Sequence, residues 1–428
     1  MDLRVAVVSM AAVLMAGTLP FSMFQKDMPA GSGKAVRSGT AHITGAMESN
    51  IFFGNYWQSV RSEDAADGNK EPVKWRVLSN DGSLFVVSDK NLDCVEYNSS
   101  AETVTWEDCS LRKWLNVRFL DTAFSTTEQG AVLESLVVNE DGAKGSEAGA
   151  DTRDKVYILS IYEVIDPELG FPTDWKDKGG TRVALNTEYT RSKHASTDSD
   201  MSGTWWLRTP GDAKNAANVF NAGNVFVRGS NVSNFDLAVR PAMNIDPSKV
   251  LFSSAAEGGK TSGDPGADAM KEVGPYNGSD WKLTVKDDTR PVFDASLSGP
   301  ETVLKDGRVK LKYTGAATGD NEYVSAVIED AEGSILYYGN IVDNSSAGAA
   351  ASGEAAINVP ADLVPGEYKI KVFSERCNGD LKTDTASNVV TLNISISKFK
   401  TADLILSVGI GVAACVVLVF VVRKKKRA

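Results

Sequence analysis

The chain has 428 residues, 42% of them hydrophobic and 8% aromatic, with a formal net charge of −11. That length exceeds one ordinary core, and the apolar content excludes global disorder, so two or three folded units are expected. With 56 acidic against 45 basic residues, five of the latter in the single run RKKKR (423–427), the balance argues against nucleic-acid binding, which works through basic patches.

Residues 1–30 read as a signal segment: Arg4 precedes an apolar run from Val5 to Leu19, short for a stable span. An uncleaved anchor is the alternative.

Residues 45–252 read as one mixed domain. IFFGNYW (51–57) looks like a strand entering a core, and VKWRVLSNDGSLFVVS (73–88) is two strand-like runs around Asn-Asp-Gly, a hairpin signal. In WEDCSLRKWLNVRFLDTAFS (106–125), Leu111, Trp114, Leu115 and Phe119 recur at helical spacing, with Asp108 or Ser110 as N-cap and Trp114 in a structural role. Ser125 with Glu128, and Ser160 with Glu163, are capping-box pairs. Cys94 and Cys109 would pair in an oxidising compartment or serve as ordinary buried hydrophobes.

Catalytic patterns are thin. Ser110-Leu-Arg-Lys113 matches S-x-x-K without its partner motifs, and the two histidines, His42 and His194, have no nucleophile motif beside them. A non-enzyme is expected, a carboxylate-based hydrolase being the least favoured alternative. No cofactor is expected, although Asp198 and Asp200 in STDSDMSGT (196–204) could face calcium.

In GTWWLRTPGD (203–212), Trp205 and Trp206 should point to opposite faces of a strand, one into the core and one towards a second layer or the surface. Arg208 and Arg240 should hold buried carboxylates or carbonyls by forked hydrogen bonds. The functional alternative keeps a tryptophan exposed for sugar stacking. Its ligand-binding residues would be Trp205, Trp206, Asn221, Asn224 and Asn231, the asparagines lying in the turns of NAGNVFVRGSNVSN (221–234).

Residues 253–276 are rich in Gly, Ser, Ala and Asp and read as a flexible linker. Short alternating runs at 277–397, from WKLTV to NVVTLNISI, suggest an immunoglobulin-like β-sandwich. Residues 402–422 have the length and apolarity of a transmembrane helix, stopped by the basic tail 423–428. The expected location is the cell membrane, single-pass, with the N-terminal side extracellular.

WRVLS, TWEDCSLRKWLNVRF, DKVYILSIYE, WWLRTPG, VFNAGNV and AVRPAMNI, in that order, resemble a bacterial domain-of-unknown-function family, number 6273, across residues 50–246. That resemblance implies a bacterial surface or secreted protein and carries no catalytic residue with it. The Trp-Leu-Arg and Val-Arg-Pro ending is also similar to the C-type-lectin-like fold of formylglycine-generating and phage variable-tip proteins. The expected fold is therefore an α+β C-type-lectin-like domain, an all-β immunoglobulin-like sandwich and one C-terminal membrane helix. The expected function is binding of an extracellular ligand (a glycan, a wall polymer or a protein), or a structural envelope role without a small-ligand site.

Overall fold

The computed structural model describes residues 33–60, 70–142, 145–346 and 348–398. Lys70–Asn80 and Leu84–Ser88 pair antiparallel across the Asn-Asp-Gly turn, where Gly82 takes a φ of +75° that a side chain would resist. Asn50–Trp57 lines up antiparallel along Lys70–Asn80. Leu84–Ser88 is followed in the sheet by Pro241–Ile245 and then Val156–Ile158. The first core fills the inner face of this sheet with Ile51, Phe53, Trp75, Val77, Val86 and Met243.

A second, five-stranded sheet has the order Val225–Asn231, Asn215–Val219, Trp205–Pro210, Ala238–Val239, Asp93–Cys94. Helices between the sheets are short. Ser110–Trp114 runs into a π-helical turn, Leu115–Phe119, and then Leu120–Ala123, burying Leu111, Leu115 and Phe119. Trp114 packs its ring 5.7 Å from that of Phe119. The helix cap is neither Asp108 nor Ser110 but Cys109, whose sulfur accepts the Arg112 N–H. Both capping boxes form, Ser125 with Glu128 and Ser160 with Glu163. The helical run 110–123 and the single turns around it cannot make a layer, and strand dominates the described residues. The α+β C-type-lectin-like expectation is corrected accordingly: the chain is mostly β.

In the C-terminal half, Arg308–Thr314 alternates exposed and buried, turning Val309, Leu311 and Tyr313 inward. It pairs with Asp294–Leu297 and Gly353–Asn358 to form a three-stranded sheet. This sheet shares a core with the layer containing Glu322–Glu329, Ile335–Asp343, Gly366–Arg376 and Val390–Ser397, through Val324, Ile328, Ile341, Ile357, Ile370 and Ile394.

The junction of the halves differs most from expectation. Asp280–Lys286, read as the first strand of the C-terminal sandwich, has one edge paired along its length with Val250–Ala255. Its other edge takes Asn50–Trp57 at Asp280 to Lys282 and Asp384–Ala386 at Thr284 to Lys286, both parallel. One strand therefore serves both halves, and a fifteen-stranded sheet runs through them. The linker assignment for 253–276 is corrected too. Ala255, Ala256 and Ala269 are buried, Gly259 sits where a Cβ would lie 2.4 Å from the Ala255 carbonyl, and Lys271–Glu272 pairs with Ile335–Asp343. Small residues here permit close packing rather than freedom. A fragment cut at residue 252 would lose its neighbouring strand.

Among the described residues no helix is long and apolar enough to cross a membrane. The single-pass and cell-membrane expectations are therefore not supported by the described residues. The segments they rested on, 402–422 and 423–428, lie outside the described residues, as does the signal assignment for 1–30.

Candidate functional site

Trp205–Pro210 is buried at every position, because it lies inside its sheet with material on both faces. Trp205 and Trp206 do point to opposite sides, yet each is 0% exposed. Trp205 Nε1 donates to the Arg182 carbonyl at 3.1 Å, and its ring lies 5.0 Å from the Arg240 guanidinium. Trp206 Nε1 donates to the Val95 carbonyl at 3.1 Å, and its ring meets that of Tyr97 at 5.7 Å. Neither presents a stacking face, and their assignment to ligand binding is corrected to the core.

The two arginines diverge. Arg208 forks onto Glu163 through both terminal nitrogens and also reaches the Ile158 and Val138 carbonyls at 3.1 Å. Burial disfavours its charge, but Glu163 outweighs burial and holds the guanidinium pKa above its ordinary value. Arg240 has no carboxylate against it. It donates to the Ser88 carbonyl at 3.0 Å, and burial pushes its pKa down to about 9.

A third arginine, which the sequence reading passed over, organises the loops. Arg182 is fully buried and donates to five backbone carbonyls: Gly223 at 2.7 Å, Val164 at 3.2 Å, Pro172 at 3.1 Å, Asp174 at 2.8 Å and Asp177 at 3.0 Å. Only a planar fork with five donors can serve so many acceptors from one position. The loop at 172–179 is thereby bound to the turn at 220–224. The Gly179 N–H donates to the Ala222 carbonyl at 2.6 Å and the Val225 N–H to the Trp175 carbonyl at 2.7 Å. Arg182→Lys is expected to leave several of these carbonyls unpaired, costing about 2 kcal/mol or more. Hydrogen exchange at residues 172–179 and 220–224 should quicken, while that of the Lys70–Asn80 strand stays slow.

On these fixed loops Trp175 is 40% exposed, with the Lys176 ammonium 5.1 Å from its ring centroid. The turn that carries its neighbour Val225 also brings Phe220 and Phe226 together, stacked at 5.1 Å and 26° and only half-buried. Asp174, Asp177 and Lys178 are exposed in the 172–179 loop. The result is an aromatic surface rimmed with charged groups on a preorganised scaffold.

The predicted asparagines divide. Asn221 joins the loops rather than facing outward: its amide donates to Asp198 Oδ2 at 3.3 Å, and its carbonyl oxygen accepts the Ala222 N–H at 2.9 Å. Asn224 lies half-buried in the same turn, its backbone carbonyl accepting the Phe220 N–H. Asn231 ends the seven-residue strand Val225–Asn231, about 20 Å from that turn at ~3.3 Å per residue. It does not converge with the others. Asp198 uses one oxygen for the Asp200 and Ser202 N–H groups, at 3.1 and 2.8 Å, which makes it a turn-former. Among the described residues no group of three or more His, Cys, Asp or Glu side chains is placed to hold a metal ion.

Cys94 and Cys109 are both free and buried, so the pairing is corrected. The Cys94 thiol points at the Phe235 and Leu237 carbonyls at 3.1 and 3.3 Å, whereas Cys109 caps the helix. Burial pushes each thiol up to about 12, which removes the thiolate needed for exchange. The signal that could have located Trp175 is its context. In FPTDWKDKGG the tryptophan stands among polar residues with no apolar period, unlike the pair in WWLRT.

Comparison with curated proteins gives no match. Among solved structures, the crystal structure of the C-terminal domain of wzt is similar at 13% identity, over 33% of this chain and 83% of that one. Its TM-score of 0.20 carries no argument. Residues 81–247 match the model of the family described as Domain of unknown function (DUF6273), the family that the motifs in this stretch resemble.

Proposed function

We propose that the N-terminal half is a ligand-binding module whose loop face takes a neutral polar ligand of the glycan class. Trp175 would be its stacking platform. The observation that carries the reading is the 40% exposed Trp175 beside the half-buried Phe220–Phe226 pair, on loops locked by one buried arginine. An exposed indole costs solvation and gains nothing for the fold, whereas a sugar ring covering it removes apolar surface from water while its hydroxyls meet rim carboxylates. Locked loops add affinity by lowering the ordering cost of binding.

The test is a glycan and polysaccharide array probed with the full chain and with Trp175→Ala, followed by titration of any hit. Loss of a central aromatic is expected to weaken binding by about 2 kcal/mol, roughly thirtyfold. The thermal midpoint should stay unchanged, since the residue is largely outside the core. Binding that is indifferent to Trp175→Ala would overturn the site. Absence of glycan binding by the unaltered chain would move the face to a protein ligand.

A further inference from the structure

Where the two halves share a strand, four charged side chains meet out of water. Lys260 lies in the 256–270 segment, Lys282 on Asp280–Lys286, Glu375 on Gly366–Arg376 and Asp384 at the start of Asp384–Ala386. Their side chains are 6%, 4%, 0% and 0% exposed. Lys260 Nζ is 2.6 Å from Glu375 Oε2 and 2.9 Å from Asp384 Oδ2. Lys282 Nζ is 2.9 Å from the same Oδ2 and donates to the Gly379 carbonyl at 2.8 Å. Asp384 Oδ1 accepts the Asn378 N–H at 2.8 Å. The Tyr338 hydroxyl donates to Glu375 Oε1, and its ring lies 5.5 Å from Lys260 Nζ.

This arrangement exceeds the needs of an ion pair. An amine touches a carboxyl carbon's oxygen and, on its other side, a second carboxylate able to take its proton. The acceptor carboxyl is polarised from both oxygens, by an ammonium and by a backbone N–H. We infer that Lys260 Nζ and Asp384 Cγ become joined by an amide bond formed within the folded chain, with Glu375 carrying the protons and one water released.

The steps balance. Glu375 takes a proton from the Lys260 ammonium, and the neutral Nζ attacks Asp384 Cγ. Charge that develops on Oδ1 and Oδ2 is met by the Asn378 N–H and the Lys282 ammonium. A second Nζ proton passes through Glu375 to Oδ2, and the proton Glu375 already holds follows it, so that Oδ2 leaves as water and Glu375 ends as a carboxylate. Lysine ammonium and aspartate carboxylate have become an amide and water, with no oxidant or cofactor.

Electrostatics supply a drive. The cluster holds two cations and two anions before the reaction, and Lys282 with Glu375 afterwards. Net charge stays zero while two buried ions, each costly to desolvate, disappear. The reactive pair is already fixed at contact distance in a site closed to water, which favours the condensation over hydrolysis. Before reaction, burial opposes charge on both partners. Attraction nonetheless keeps Lys260 above and Asp384 below their ordinary values, so Glu375 is needed to free the amine.

The experiment is a tryptic digest of the denatured, purified full chain, sequenced by tandem mass spectrometry. The expected result is a missed cleavage at Lys260 and a branched peptide joining the Lys260 and Asp384 segments, one water lighter than their sum. Glu375→Gln should abolish the branch in a folded chain, whereas Asp384→Asn with Glu375 intact should still form it, with ammonia lost in place of water. Linear peptides cleaved at Lys260, recovered from natively folded protein, would overturn the proposal. A branch through Lys282 instead would overturn the choice of nucleophile. The unaltered chain decides the question even where a variant fails to fold.

Discussion

Replacing Glu163 with alanine is expected to cost about 3 kcal/mol, the lower end of the range for removing one partner of a buried ion pair, because its own side chain is 23% exposed. It should appear as a lower urea midpoint followed by tryptophan fluorescence. Arg208 cannot follow its lost partner into water: its side chain is 5% exposed and pinned to the Ile158 and Val138 carbonyls. The variant would keep a cation in the core with the neutralising carboxylate gone. The Ser160 cap would fail with it, since the Ser160 N–H donates to Glu163 Oε2 at 2.7 Å. Glu163→Gln keeps the acceptor oxygen but not the charge and should fall between. A loss below about 1 kcal/mol in the alanine variant would mean that Arg208 finds water after all.

Gly229→Ala should be comparably severe for a purely steric reason. Gly229 has a φ of +72°, and a Cβ there would sit 2.2 Å from the Ala216 carbonyl oxygen. The left-handed conformation alone costs a side chain about 1–2 kcal/mol, and backbone overlap adds to it, for roughly 3 kcal/mol or more. The position matters because Asn215–Val219 and Val225–Asn231 shift register between Ala216 and Asn218, a bulge that only this close approach allows. The expected readout is a lower thermal midpoint with a changed near-ultraviolet dichroism spectrum. Ala216→Gly should not rescue it, because the collision is with main chain.

Local signals in the sequence were legible where the cause was local. Asn-Asp-Gly set the hairpin of Lys70–Asn80 and Leu84–Ser88, and Ser125 with Glu128 set a helix start, because each depends on residues within a few positions. Alternation in RVKLKYT located the inward Val309, Leu311 and Tyr313. Alternation reports a face, not a neighbour, so nothing in WKLTV disclosed that its strand pairs with Asn50–Trp57 across more than two hundred residues. The Gly-, Ser- and Ala-rich stretch misled because small residues serve tight packing as well as flexibility. For the site, helical spacing around Trp114 located the helical run 110–123, whereas the conspicuous Trp205–Trp206 pair drew notice from the isolated Trp175. Arg182 was invisible because its partners are carbonyls, which every residue carries.

The shared strand Asp280–Lys286 also has a mechanical meaning. A tether between two bodies transmits neither torque nor bending, and its reach fluctuates with its length. A strand paired along both edges is a beam built into both bodies. A load applied to one half reaches the other through hydrogen bonds pulled in shear, many at once, before any chain is drawn out. The loop face around Trp175 is thus held in a set orientation to the C-terminal half. A ligand captured there would be presented at an angle fixed by the sheet rather than swung on a leash.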